Sequence, residues 1–227
     1  MKISASLVIF FAISASHLVT IALELTLLSQ ITKPMLMIAL LVYFNQSVPK
    51  TPLNNFVNAA LLLSCLGDTL LIFADQQPIF FMLGLGAFLL GHLTYIFLNL
   101  NLIDTEDRKI KFHWRDILFG AFGLFMFRFI RPNLGDMMIP TLIYAVVICM
   151  MGITASKRIG KTSRKSFQLV LIGAITFMIS DSLLAINKFN SPFYLADFLI
   201  MLTYISGQFL IVQGIIAFIQ NLKETSN

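Results

Sequence analysis

Apolar stretches of about twenty residues follow one another along the whole chain, each closed by a proline, a charge or both. A helix of that length crosses the hydrocarbon core of a bilayer with its backbone N–H and C=O groups bonded internally, as lipid requires. Eight segments fit, at approximately 4–24, 31–46, 54–73, 78–102, 114–130, 138–156, 166–187 and 193–219. Their separators run Gln30 to Pro34, Val48 to Pro52, Asp75 to Pro78, Asp104 to Arg115, Arg131 to Asn133, Lys157 to Lys165 and Asn190 to Pro192. None is long enough to hold a further domain, so residues 1–227 read as a single all-α transmembrane domain of eight helices. The composition agrees. Of the 227 residues 58% are hydrophobic and 12% charged, too little charge to cover a soluble domain of this size.

The basic residues set an orientation. With the N-terminus in the cytoplasm and strict alternation, the inside holds Lys2, Lys50, Arg108, Lys109, Lys111, Arg115, Lys157, Arg158, Lys161, Arg164, Lys165 and Lys223. The outside is left with Lys33, Arg128, Arg131 and Lys188, so twelve of sixteen cations lie inside, as the positive-inside rule requires. Both termini are therefore expected in the cytoplasm, in a bacterial inner membrane. Met1-Lys2 followed by an apolar run with small residues at Ala12 to Ser16 has the look of a signal peptide. The run continues to Leu23, a length that suits a first spanning helix better. The Lys157–Lys165 run reads as a topology determinant facing anionic lipid, and Arg128 and Arg131 as anchors at the outer interface.

A faint duplication is visible. Gly67-Asp68-Thr69-Leu70-Leu71 parallels Ser180-Asp181-Ser182-Leu183-Leu184, Gly91-His92 parallels Gly207-Gln208, and Pro34 and Pro140 open the second and sixth segments. Such a pattern is what a parallel four-plus-four repeat would leave, although chance similarity between apolar helices would leave much the same.

Ionisable side chains inside hydrocarbon cost several kcal/mol unless paired or hydrated, so the few present are the candidates for chemistry. Asp68 and Asp181 lead. Both sit roughly 6 Å to one side of their helix centres at 1.5 Å per residue. Two carboxylates sharing a cavity of low polarity hold a proton between them, a ready general acid. The plainer role is glue, each acid bonding a neighbouring helix through Lys33, Tyr204 or a hydroxyl. His92 suits proton shuttling, substrate binding or a simple interhelical bond. Lys33, at a helix end, could pair with an acid, hold a phosphate or snorkel. Ser64, Tyr95, Tyr204 and Gln208 are neutral partners for a bound molecule. Cys65 and Cys149 lie in apolar runs without metal-ligand spacing and read as inert buried thiols. His17 with His92 makes a poor haem ligand pair, and no metal, cofactor or nucleic-acid partner is implied. Gly-rich phosphate loops, nucleophile elbows and metalloprotease motifs are absent from the sequence.

In order along the chain stand Thr32-Lys33-Pro34-Met35-Leu36, Leu63-Ser64-Cys65-Leu66-Gly67-Asp68, Gly86 to Tyr95, Phe177-Met178-Ile179-Ser180-Asp181-Ser182 and Tyr204 to Val212. This ordered set resembles the YhhN family of membrane proteins, which includes the lysoplasmalogenases, across segments two to eight. The resemblance implies hydrolysis of the vinyl ether bond of lysoplasmalogens to a fatty aldehyde and glycerophosphoethanolamine or glycerophosphocholine. By the same resemblance Lys33, Asp68, His92, Asp181 and Gln208 are site positions. Relatives can carry His where this chain has Gln208, which argues against proton transfer there.

Vinyl ethers hydrolyse by protonation at carbon, so the reaction needs one protonated acid and one carboxylate, much as glycosidases do. Asp68 and Asp181 are expected as that catalytic pair, without metal or cofactor. Lys33 would face the lysophospholipid phosphate, with Ser64, His92, Tyr95, Tyr204 and Gln208 lining the substrate. The competing reading is a small-molecule or lipid transporter with polar residues at its midplane.

Overall fold

Why the apolar segments become helices, and where each stops, is visible in a computed structural model of the chain that describes residues 4–103 and 113–225. Lys2, Arg108, Lys109 and Lys111 of the charge tally lie outside those residues, as does the side chain of Lys223. The helices are α1 (Ala5–Ala22), α2 (Thr26–Ser47), α3 (Pro52–Ile72), α4 (Pro78–Asn101), α5 (Trp114–Ile130), α6 (Met138–Ser156), α7 (Arg164–Phe189) and α8 (Ala196–Thr225). Two 3-10 turns, Arg131–Asn133 and Gly135–Met137, join α5 to α6. The protein is all-α and polytopic. Seven of the helices are long and apolar enough to cross a membrane among the described residues; α5 is not among them. Its 17 residues make it about 25 Å long, the short end of what spans a bilayer.

Most boundaries agree with the sequence reading to within a few residues. The larger departures are α8, which runs on to Thr225, and α2, which starts at Thr26 and carries Pro34 inside it rather than at its head. A proline interior to a helix removes one hydrogen bond, a loss that transmembrane helices tolerate when hydroxyls and neighbours serve the backbone. The carbonyl that Pro34 leaves without its helical donor is that of Gln30, while Ser29 and Thr32 bond back to the carbonyls of Thr26 (2.9 Å) and Leu28 (2.8 Å) within the same turns. Lys33 therefore lies well inside α2, half-buried, and not at a helix end. The chain reverses before α2 through Glu24, whose φ of 55° ends α1.

The chain forms two compact units, Met1–Tyr95 and Ile96–Asn227. In the first, α1 joins α2 through His17 Nδ1 and Thr32 Oγ1 (2.8 Å), and α2 joins α3 through Cys65 Sγ donating to the Pro34 carbonyl (3.4 Å). His17 thus has the plain interhelical role. Helices α3 and α4 press together at small residues. A Cβ on Gly67 would meet the Phe88 ring at 2.6 Å, and one on Gly84 would meet Leu71 at 3.0 Å.

In the second unit α7 and α8 approach even more closely. A Cβ on Gly173 would lie 2.7 Å from the Ile211 amide nitrogen, and one on Gly207 2.9 Å from that of Phe177. Small residues at such crossings let backbones touch where no hydrophobic drive between helices exists. Ser180 Oγ adds a bond to the Ile200 carbonyl at 2.9 Å.

The basic run between α6 and α7 is used differently from a uniformly lipid-facing belt. Lys157 turns inward to Asp116 at the start of α5 (2.8 Å), and Arg158 is fully buried. Arg158 donates Nη2 to Ser166 Oγ (2.6 Å), which donates to the Gly214 carbonyl (2.6 Å), fastening this corner to α8. Burial lowers the pKa of that guanidinium to about 10. Two of the five cations in the run therefore serve packing, while Arg164 and Lys165 remain exposed.

Candidate active site

The first unit holds five of the candidate residues, on α2, α3 and α4. Ser64 and Asp68 are one turn apart on α3 and both 2% exposed. Gly91 of α4 backs onto this face, where an added Cβ would lie 3.6 Å from Ser64 Oγ. His92 and Tyr95 follow on α4, 1% and 2% exposed. A buried carboxylate, hydroxyl, imidazole and phenol therefore lie on two neighbouring helices. Lys33 is on α2, next to Pro34 and Met35, which line an apolar cleft of about 450 Å³ between α1 and α2.

The second unit holds Asp181, Tyr204 and Gln208. Asp181, half-buried, projects from the second half of α7 into a small, partly open cavity of about 60 Å³ lined by α5, α6 and α7. Its walls are largely apolar, with Phe122, Met126, Phe127, Ile148 and Met178 among them. Into this setting α6 brings a phenol. Tyr144 donates its O–H to Asp181 Oδ2 at 2.6 Å. The hydroxyl of Thr141, one turn earlier on α6, lines the same cavity, is buried, and has no hydrogen-bond partner among the described residues. By the volume a water needs, the cavity admits a few waters or the reacting end of a ligand, but not a whole lipid. An acid, a phenol and a free hydroxyl around such a space can bind and orient water beside a carboxylate.

On the adjoining part of α7, Phe177 meets Tyr204 edge-on, with ring centroids 5.4 Å apart at 89°. Gln208 is fully buried beside Gly207, where α8 touches α7. Tyr144 and Thr141 escaped the sequence reading. A tyrosine within an apolar run is ordinary, and their shared helix face, three residues apart, was the only available hint.

With the geometry in place, the sequence profile of the YhhN family matches residues 28–215. The chain belongs to the YhhN family. No curated protein and no solved structure matches it. The YhhN match takes in Lys33, Ser64, Asp68, His92, Tyr95, Asp181, Tyr204 and Gln208, and with them Thr141 and Tyr144.

Proposed function

We propose that this YhhN protein is a membrane-embedded hydrolase that cleaves the vinyl ether bond of lysoplasmalogens. Membership of the YhhN family is consistent with a membrane hydrolase. One observation carries the site: an aspartate within an apolar transmembrane wall, held by a tyrosine O–H and facing space for water. A carboxylate placed there at the cost of desolvation has a use in stabilising a cation or accepting a proton.

The chemistry divides into three balanced steps. An acid donates a proton to the alkene carbon β to oxygen, leaving an oxocarbenium ion at the other carbon. Water adds to that carbon and gives up a proton to a carboxylate, forming a hemiacetal. The hemiacetal then loses its hydroxyl proton as the ether oxygen gains one, the C–O bond breaks, and fatty aldehyde and glycerophospho-alcohol separate. Asp68 and Asp181 take the acid and carboxylate roles in this proposal, on the basis of the YhhN motifs that carry them. Lys33 suits the substrate phosphate. Ser64, His92, Tyr95, Tyr204 and Gln208 suit its oxygens. Tyr144 fixes the Asp181 carboxylate.

The test uses purified protein in detergent with a vinyl ether lysolipid and, separately, its ester-linked analogue. Aldehyde release from the vinyl ether compound alone is expected. No aldehyde, together with unconsumed vinyl ether lysolipid moving across liposomes, would replace hydrolysis by transport.

A further inference from the structure

Helix α5 has two differently used faces. Phe122, Gly123, Met126, Phe127 and Ile130 turn to the Asp181 cavity, while Ala121, Leu124, Phe125 and Arg128 line a separate open groove of about 800 Å³. The groove residues recur at i, i+3, i+4 and i+7, one continuous helix face, and Phe129 extends it. Arg131, in the turn that follows, closes the same end as Arg128.

The groove is thus apolar along its length and doubly cationic at one end. Leu124 and Phe125 are 64% and 66% exposed, and both arginines are exposed. Neither guanidinium has an ion-pair or hydrogen-bond partner among the described residues, and no acidic residue lines the groove. The two ends of α5 differ: Trp114 begins it and is 70% exposed, as an interfacial aromatic would be, while Arg128 lies in its last turn and Arg131 just beyond it.

We propose that this groove is a binding site for an anionic glycerophospholipid. One acyl chain lies along Ala121, Leu124, Phe125 and Phe129. The phosphate is held by Arg128 and Arg131. Planar guanidinium forks match phosphate oxygens in pairs, and two uncompensated cations favour a lipid of net negative charge over a zwitterionic one. A second copy of the chain docked here would bury guanidinium groups without carboxylates, which makes it the poorer occupant. The site lies on the other side of α5 from Asp181 and does not depend on the hydrolase reading.

Native mass spectrometry of the detergent-purified protein tests this, with phosphatidylglycerol, phosphatidylcholine and inorganic phosphate as separate probes. Wild type should retain phosphatidylglycerol roughly tenfold to thirtyfold better than R128Q/R131Q, at about 1 kcal/mol per cation. A121W, which keeps both charges and fills the groove, should also lose retention, whereas K165Q at a distant exposed cation should not. Equal retention in wild type and R128Q/R131Q would overturn the proposal. So would phosphate binding that matches the lipid, preference for phosphatidylcholine, or a dimer lost with the arginines.

Discussion

Tyr144 of α6 donates its hydroxyl to Asp181 of α7 at 2.6 Å, within a largely apolar cavity that α5 helps to close. The bond makes Tyr144 a positioning residue. Hydrogen bonds to charged groups contribute about 1.5–3 kcal/mol, equivalent to roughly tenfold to a hundredfold in rate where the carboxylate acts. Y144F should therefore lower kcat for aldehyde release by that factor while KM moves little. An unchanged kcat would remove Tyr144 from the mechanism.

Protonation at carbon leaves a mark on the product. In D2O the released aldehyde, trapped by reduction, should carry one deuterium on the carbon next to the former carbonyl. Mass spectrometry reads this directly. Aldehyde without that deuterium would exclude the oxocarbenium route, because the proton added in its first step comes from exchangeable acid.

The α7–α8 contact predicts a contrast between two glycines of the same unit. At Gly207 a Cβ would press on the Phe177 amide and the Gly173 carbonyl, whereas at Gly120 of α5 it would meet nothing within 4 Å. Overpacking costs about 1–3 kcal/mol, and an alanine in an open helical position stabilises by up to about 1 kcal/mol. Thermal unfolding in detergent should show G207A with a lowered Tm and G120A with an equal or raised one.

Asp116 and Lys157 form an ion pair with side chains 5% and 11% exposed, joining the start of α5 to the end of α6. Removing one partner leaves the other charge unpaired in a partly desolvated place, at a cost of about 1–3 kcal/mol, whereas replacing both is milder. K157M should lower Tm strongly, and D116N/K157M should recover much of the loss. Equal losses in both variants would mean that the pair contributes through packing alone.

Where sequence was sufficient and where it was not follows from the same physics. The helices were legible because lipid demands long, uninterrupted apolar runs, and Asp181 was legible because a carboxylate in such a run is conspicuous. The start of α2 was hidden because Pro34 reads as a boundary, yet the helix begins a turn and a half earlier and carries the proline inside it. Arg158 looked like one more cation of a run facing anionic lipid; only the fold shows it over the Phe218 ring and bonded to Ser166. Tyr144 has no distinguishing neighbour in sequence, since its partner lies 37 residues away. The two α5 faces likewise emerge only once α6 and α7 have claimed one of them.

In the proposed reaction, carboxylates inside the membrane perform the hydrolysis. The most direct measurement is aldehyde release from a vinyl ether lysolipid by purified wild type, D68N and D181N, each checked for folding by its unfolding temperature. Loss of a general acid or base costs about a hundredfold to ten-thousandfold in rate. Folded D68N and D181N should each fall by at least a hundredfold. Aldehyde release at the wild-type rate from either variant would contradict the mechanism.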